Sequence, residues 1–226
     1  MDLLSLYFGD RNLAFTYLPN SHSLARSTSV RDLGVLVTDC GSVSAQCRTA
    51  AAAARRLTGL MLRTFKSRKP SVILPVFKTI IRHLAEYATP VWSPCLKSDI
   101  ADLENVQRKI TKCIAGFRGL PYSTRLQRLQ LPSLATRRLY LDLLECYKIV
   151  HGLVRSDCRA SLILSDHNTR GNNCMLDTNV PPARLNVRKY SFAERVLTHW
   201  NALPVAILRQ RTLGQFKLAL RKHLSI

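Results

Sequence analysis

The side chains best placed to do chemistry in this chain are cations, and they fall into three groups. Arg55, Arg56, Arg63, Lys66, Arg68 and Lys69 form the first. Arg108, Lys109 and Lys112 form the second, and Arg125, Arg128, Arg137 and Arg138 the third. Guanidinium and ammonium groups spread over a surface suit the phosphates of a nucleic-acid backbone, which need distributed positive charge rather than a fixed motif. The whole chain leans the same way. Over 226 residues there are 34 Lys and Arg against 14 Asp and Glu, a formal net charge of +20. Such an excess repels itself and calls for a polyanion or an acidic partner. A merely solvated surface is the plain alternative, and at this charge nucleic-acid contact is the preferred reading.

Other chemistry is missing from the sequence. There is no Gly-x-Gly-x-x-Gly or Walker loop and no Gly-x-Ser-x-Gly elbow. No two acidic residues are adjacent. Asp99 and Asp102 stand one helical turn apart but suit a helix start, and Asp32 and Asp39 flank a candidate strand. A two-metal polymerase site needs paired carboxylates that share ions. No catalytic residue, metal ligand or cofactor contact is therefore assigned. The 7 cysteines are odd in number and contain no Cys-x-x-Cys. This excludes a complete disulfide framework and the ordinary zinc spacings, and it points to a reduced intracellular compartment, nucleus or cytoplasm. His151 with Cys158 and His167 with Cys174 come nearest to ligand pairs; scattered imidazoles and thiols are the preferred reading. No leader-like apolar run follows the N-terminus, and no stretch is long and apolar enough for a membrane span.

The elements that must position these cations read as mostly helical. Leu13 to Leu18 and Leu33 to Val37 are candidate strands around a turn at Pro19-Asn20, a hairpin that needs support from elsewhere. Residues 42–65 form a helix with Ser42 or Ser44 as cap, an alanine run at 50–54, and an apolar stripe of Leu57, Leu60 and Met61. A second helix covers 71–88 through Val72, Val76, Phe77, Ile80, Ile81 and Leu84, with Pro75 near its start. Pro90 and Pro94 bracket Trp92, which plugs a junction between helices. Residues 99–115 form the cleanest amphipathic helix. Asp99 or Ser98 caps it, Leu103, Val106, Ile110 and Ile114 face inward, and Gln107, Arg108, Lys109 and Lys112 face the other side. Its acidic start and basic end match the helix dipole.

Gly116 and Gly119 end that helix, and 121–132 is a short basic segment. Residues 133–152 form another helix on Leu139, Leu143, Leu144, Tyr147 and Val150, with Gly152 at its C-terminal end. Arg137 and Arg138 oppose the dipole there, which suggests an external anion. Periodicity fades over 155–189, with a polar loop at Asp166 to Asn173 and Pro181-Pro182 beyond it. It returns at Phe192, Val196, Leu197 and Trp200, and again at Leu213, Phe216, Leu220 and Leu224. Tyr87, Trp92 and Tyr122 have rings able to stack bases, and packing is the preferred role for each.

Several peptides together resemble a known family. They are Ser29-Val30-Arg31-Asp32-Leu33-Gly34-Val35, Ala54-Arg55-Arg56-Leu57-Thr58-Gly59-Leu60 with Arg63 and Phe65, and Leu84-Ala85-Glu86-Tyr87-Ala88-Thr89-Pro90-Val91-Trp92-Ser93-Pro94. Leu103 to Lys109, Leu131-Pro132-Ser133-Leu134, Tyr147-Lys148-Ile149 and Trp200-Asn201-Ala202-Leu203-Pro204 follow in order. From about residue 15 onward the chain resembles the C-terminal part of the polymerase protein of non-LTR retrotransposons, the jockey-like LINE class. The resemblance implies a mainly α fold. Residues 1–40 would be a β-hairpin remnant of the palm, 41–116 a thumb-like helical region, and 117–226 a further helical region with the irregular segment near 155–189. It also implies a template–primer duplex of RNA and DNA as partner, and the catalytic part of the polymerase as a second. The family's Ala-Asp-Asp motif has no counterpart here, so a divalent metal, magnesium, is implied only for the intact parent enzyme. The chain departs from the family in lacking a histidine near Gln46 or Cys47 and in having His83 where proline is usual. The expectation is a fragment of an RNA-directed DNA polymerase that binds nucleic acid without catalysis. A helical protein-interaction module and a decayed element without function are the alternatives.

Overall fold

The alanine run at 50–54 lies at the centre of the first half of the molecule. A computed structural model describes residues 4–9, 15–16, 18, 24–156, 162–164, 174–177 and 185–226. Helix α1 spans Ser44–Thr64 and buries Cys47, Ala50, Ala51, Ala54, Thr58 and Met61. These are mostly small, so helix α5, Lys97–Cys113, packs closely along it. The two helices run in the same direction. Ser44 at the start of α1 donates to Asp99 Oδ2 at 2.6 Å, and beyond both helix ends Ala115 N donates to Arg68 O at 2.9 Å.

The fold is mainly helical, with a small β-hairpin region ahead of a multi-helix bundle. Strands β1 (Leu4–Leu6) and β2 (Ala25–Ser27) pair in parallel, while β3 (Ser29–Asp32) and β4 (Val35–Thr38) form the hairpin. The hairpin is more local than the sequence suggests. Leu33 and Gly34 are its two-residue turn, with φ of 44° and 86°, and not the start of a strand. Two positive φ angles match the twist of a tight hairpin. Phe15, Thr16 and Leu18 belong to no strand. The turn at Pro19-Asn20, the loop at 166–173 and Pro181-Pro182 lie outside the described residues. Val35 seats the hairpin on Cys47, Ala50 and Ala51, and Gln46 Oε1 accepts from Leu36 N at 2.9 Å.

The helix expected over 71–88 has three parts: α2 (Pro70–Val76), a π-helical turn (Phe77–Ile81) and α3 (Arg82–Glu86). Pro75 removes one amide donor, and two residues later the ladder widens so that Arg82 N reaches Phe77 O. The wider turn keeps Ile73, Phe77, Ile81 and Ala85 on one buried line of strict four-residue spacing. Ile80 is thereby turned outward, and Leu60 of α1 is exposed as well. The one-turn helix α4 (Thr89–Trp92) buries Trp92, whose Nε1 donates to Tyr87 O at 2.7 Å.

Capping departs from expectation at two helices. The N-caps of α1 and α5 are Val43 and Leu96, with no side-chain cap. Ser44 and Asp99 bond to each other instead. Residues 122–129 form helix α6 (Tyr122–Leu129), where the sequence suggested only a basic connector. Helix α7, Leu134–Val150, has a true cap: Ser133 Oγ accepts from Thr136 N at 3.0 Å. Its far end closes on Gly152 at φ 67°, with Gly152 N bonding Ile149 O and Leu153 N bonding Lys148 O.

Helix α7 crosses from one core to the other. Leu134 joins the core of α1 and α5, as Leu129 and Leu131 join the neighbouring cluster under α2. Tyr140, Leu143, Cys146, Tyr147 and Ile149 belong to a second core with the C-terminal helices. Those are α9 (Phe192–Asn201), α10 (Val205–Leu208) and α11 (Leu213–Leu224), while the short α8 (Asn186–Lys189) ahead of them buries no residue. The packing seam thus falls along α7. Tyr147 stacks on Phe216 with ring centres 4.4 Å apart, and its hydroxyl donates to Gln210 O at 2.8 Å. Trp200 Nε1 donates to Cys174 O, and the Asn201 amide bonds both Leu176 N and Leu176 O. No helix among the described residues is long and apolar enough to cross a membrane.

Candidate nucleic-acid interface

The exposed side of α1 is a cationic stripe. Arg48, Arg55, Arg56 and Arg63 are exposed at the spacings of one helix face. The exposed side of α5 carries Lys97, Arg108, Lys109 and Lys112. The helices that carry the two stripes pack side by side. Lys66 and Lys69 extend the first beyond its helix end, and both are exposed. Among the described residues, no carboxylate forms an ion pair with Arg56, Arg63, Lys66, Lys69, Arg108, Lys109 or Lys112.

Two members of the first group have partners. Arg55 meets Asp102 across the α1–α5 contact at 3.0 Å, with side-chain exposures of 43% and 44%. So open a pair is worth at most about 1 kcal/mol and yields readily to a stronger anion. Arg68 folds back on the end of α1 and donates to Leu62 O and Phe65 O. It satisfies orphan carbonyls of the last turn.

Three of the four cations of the third group, Arg125, Arg137 and Arg138, point inward, a correction to the external-anion reading, while Arg128 is exposed on α6. Arg137 grips Glu86 of α3 with Nε–Oε1 at 2.9 Å and Nη2–Oε2 at 2.8 Å. This bidentate bond raises the guanidinium pKa above its usual value. Arg138 is 3% exposed. Burial lowers its pKa, opposed by Glu104 and Asp142 nearby, and its Nη1 has no hydrogen-bond partner among the described residues. Arg125 is buried too and donates to Arg108 O at 2.9 Å. These side chains hold helices together and offer nothing to a ligand outside.

Gln107 is likewise buried, not solvent-facing. Its Nε2 donates to Tyr122 Oη at 3.1 Å and Pro132 O at 2.9 Å. The Tyr122 hydroxyl donates to Glu104, whose Oε2 accepts from Leu134 N at 3.0 Å. Burial is the first cause that drives the Tyr122 phenol pKa well up, and the Glu104 bond is the second. Arg108 lies over the Tyr122 ring, 4.6 Å from its centre, and Arg125 is 5.4 Å from it. Tyr122 and Trp92 are therefore packing residues. Tyr87 donates its hydroxyl to Leu33 O at 2.9 Å, tying α3 to the hairpin.

The carboxylates complete the electrostatic picture. Glu86, Asp99, Asp102, Glu104, Asp142 and Glu145 all have partners within the fold. Asp99 and Asp102 point to different partners, Ser44 and Arg55, and do not form a metal-holding pair. Among the described residues no group of three His, Cys, Asp or Glu is placed to hold a metal ion. Cys158 and His167 lie outside the described residues. Arg48 and Lys97 were not singled out in the sequence. Arg48 could have been found from its seven-residue spacing to Arg55. No protein-family model, curated protein or solved structure matches the chain.

Proposed function

We propose that this chain is a nucleic-acid-gripping part of an RNA-directed DNA polymerase of the non-LTR retrotransposon type, binding a template–primer duplex without carrying out nucleotidyl transfer itself. The exposed cations of α1 and α5, carried by two helices packed side by side while carboxylates of the same bundle such as Asp102 and Glu86 have partners within the fold, support this reading. Arg56, Arg63, Arg108, Lys109 and Lys112 are the residues that would meet phosphate. Arg137 and Arg138 are withdrawn from that role by their burial. Recognition by scattered cations is independent of base sequence and falls steeply with salt. The motif peptides from Ser29 to Pro204 connect this grip to the polymerase family.

Fluorescence anisotropy of the chain against an RNA–DNA primer duplex, titrated from low to physiological salt, tests it. Saturable, salt-steep binding is expected. Neutralising Arg108, Lys109 and Lys112 to glutamine should weaken binding across all duplex sequences and flatten the salt dependence. A folded triple mutant with unchanged affinity and salt slope would reject this face.

A further inference from the structure

A cleft of about 1100 Å³ opens between α4, α7, α8 and α11, and no residue of the two cationic stripes lines it. Its size lies at or beyond the upper end of small-molecule sites, which run to roughly 1,000 Å³. Leu144 and Phe192 form part of its wall. Val91, Leu96 and Val187 also line it, at 69%, 52% and 60% exposure. Large apolar side chains gathered this way mark a surface that another body covers.

The charges of the cleft that lack an ion-pair partner among the described residues are of one sign. Its carboxylates, Glu86 and Glu145, are held by Arg137 and Lys148. Its other cations, Arg155 and Lys217, form no ion pair among the described residues. An occupant must therefore bring apolar groups for the wall and carboxylates for Arg155 and Lys217. A second copy of this chain fits poorly. The exposed leucines and isoleucine of its helices stand among cations: Leu60 beside the arginines of α1, Ile80 near Lys78, Leu218 beside Lys217. A nucleic acid brings charge but no aliphatic stripe.

We propose that this cleft receives an acidic amphipathic helix of a partner protein, whose apolar side chains at positions i, i+3, i+4 and i+7 enter the groove while flanking carboxylates meet Arg155 and Lys217. This interface is independent of the duplex-binding face and could operate with it.

The test uses the full chain and a fluorescein-labelled peptide of about 18 residues, five helical turns, with leucine on the stripe and glutamate elsewhere. One control replaces every leucine by serine at equal charge, and a second replaces glutamate by lysine. The leucine–glutamate peptide should bind at physiological salt, and both controls at least roughly tenfold more weakly. Val91→Asp with Leu96→Asp, at exposed sites, should reduce affinity by a similar factor with an unchanged circular dichroism spectrum. Arg155→Glu with Lys217→Glu should weaken it as well. The Arg108, Lys109 and Lys112 glutamine triple mutant should leave it unaltered, so that failure of duplex binding and failure of peptide binding are told apart. Equal binding of the serine peptide would reduce the effect to general charge attraction and overturn the proposal. So would unchanged affinity in the folded Val91→Asp, Leu96→Asp protein, or a dimer by sedimentation that these substitutions abolish.

Discussion

Arg195 of α9 holds Asp142 of α7 through two hydrogen bonds, Nε–Oδ2 at 2.9 Å and Nη2–Oδ1 at 3.1 Å. The same Nη2 reaches Pro90 O of α4 at 2.7 Å. One side chain thus ties the C-terminal helices to both the central helix and the Trp92 turn. Asp142 is buried, so its charge depends on this partner. Arg195→Met should cost about 3–5 kcal/mol by urea denaturation, because it strands a buried carboxylate. Combining it with Asp142→Leu should recover a large part of the loss. A double mutant as unstable as the single would show that packing, and not the stranded charge, sets the cost.

Arg137 and the α5 cations should separate cleanly. Arg137→Gln removes the bidentate grip on Glu86, whose remaining partner is Arg82 at 3.6 Å. A loss of about 3 kcal/mol in unfolding free energy is expected, with the salt slope of duplex binding unchanged. The Arg108, Lys109 and Lys112 triple mutant should do the reverse. Its stability should stay within roughly 1 kcal/mol of the parent, while the slope falls by about 1 for each phosphate contact removed.

The thiols differ sharply in availability. Cys40 is exposed, and bonds from Thr38 and then the Ser42 backbone lower its pKa. Cys47 is buried, and burial first, then the Asp99 charge, pushes its thiol up to about 12. Burial drives Cys146 up in the same way. Iodoacetamide followed by peptide mapping should modify Cys40 in the native protein and reach Cys47 and Cys146 only with denaturant. The Cys40 rate should rise at lower pH than for an ordinary thiol, and Thr38→Val should move that rise upward. Labelling of Cys47 as fast as Cys40 would contradict the packing of α1 against Trp92.

Leu33 occupies a left-handed turn position at φ 44° while 85% exposed. A leucine gains nothing there and bears the steric cost of a positive φ. Leu33→Asn creates the asparagine–glycine pair favoured in such hairpins. It should raise stability by about 0.5–1 kcal/mol in thermal or urea unfolding. A destabilised Leu33→Asn protein would mean that the leucine side chain makes contacts the turn requires.

The helices were legible because their apolar spacing is long and regular. Leu103, Val106, Ile110 and Ile114 read correctly as one buried face. Phe216 and Leu220 did so too. Helix α6 was missed because only two full turns separate Pro121 from Gln130, and its arginines read as a charged connector. The π-helical turn was invisible to a 3.6-residue template, so Ile80 was placed inward and Ile73 overlooked. The candidate site was half legible. Sequence supplies the cations, but whether each faces water depends on distant carboxylates. Nothing local tells that Glu86 waits for Arg137, or that Arg138 enters the core while Arg108 stays on the surface. Gln107 was misplaced for the same reason: its partners, Tyr122 and Pro132, come from elements beyond its own helix.

The common direction of α1 and α5 also sets like poles beside like. Two amino ends meet near Ser44 and Asp99, and two carboxyl ends near Arg68 and Ala115. Each helix end carries about half an elementary charge, so both junctions are repulsive until side chains neutralise them. Asp99 does this at one pole. Arg63 and Lys112, in the last turns, and Arg68, on the carbonyls of α1, do it at the other. These cations thus serve the fold before they serve any ligand. A phosphate at that end competes with the helices for the same charge, whereas one at Arg56 meets a guanidinium with no such prior claim. The attraction along the face is therefore graded, strongest over the middle of α1 and weakest where the helices stop.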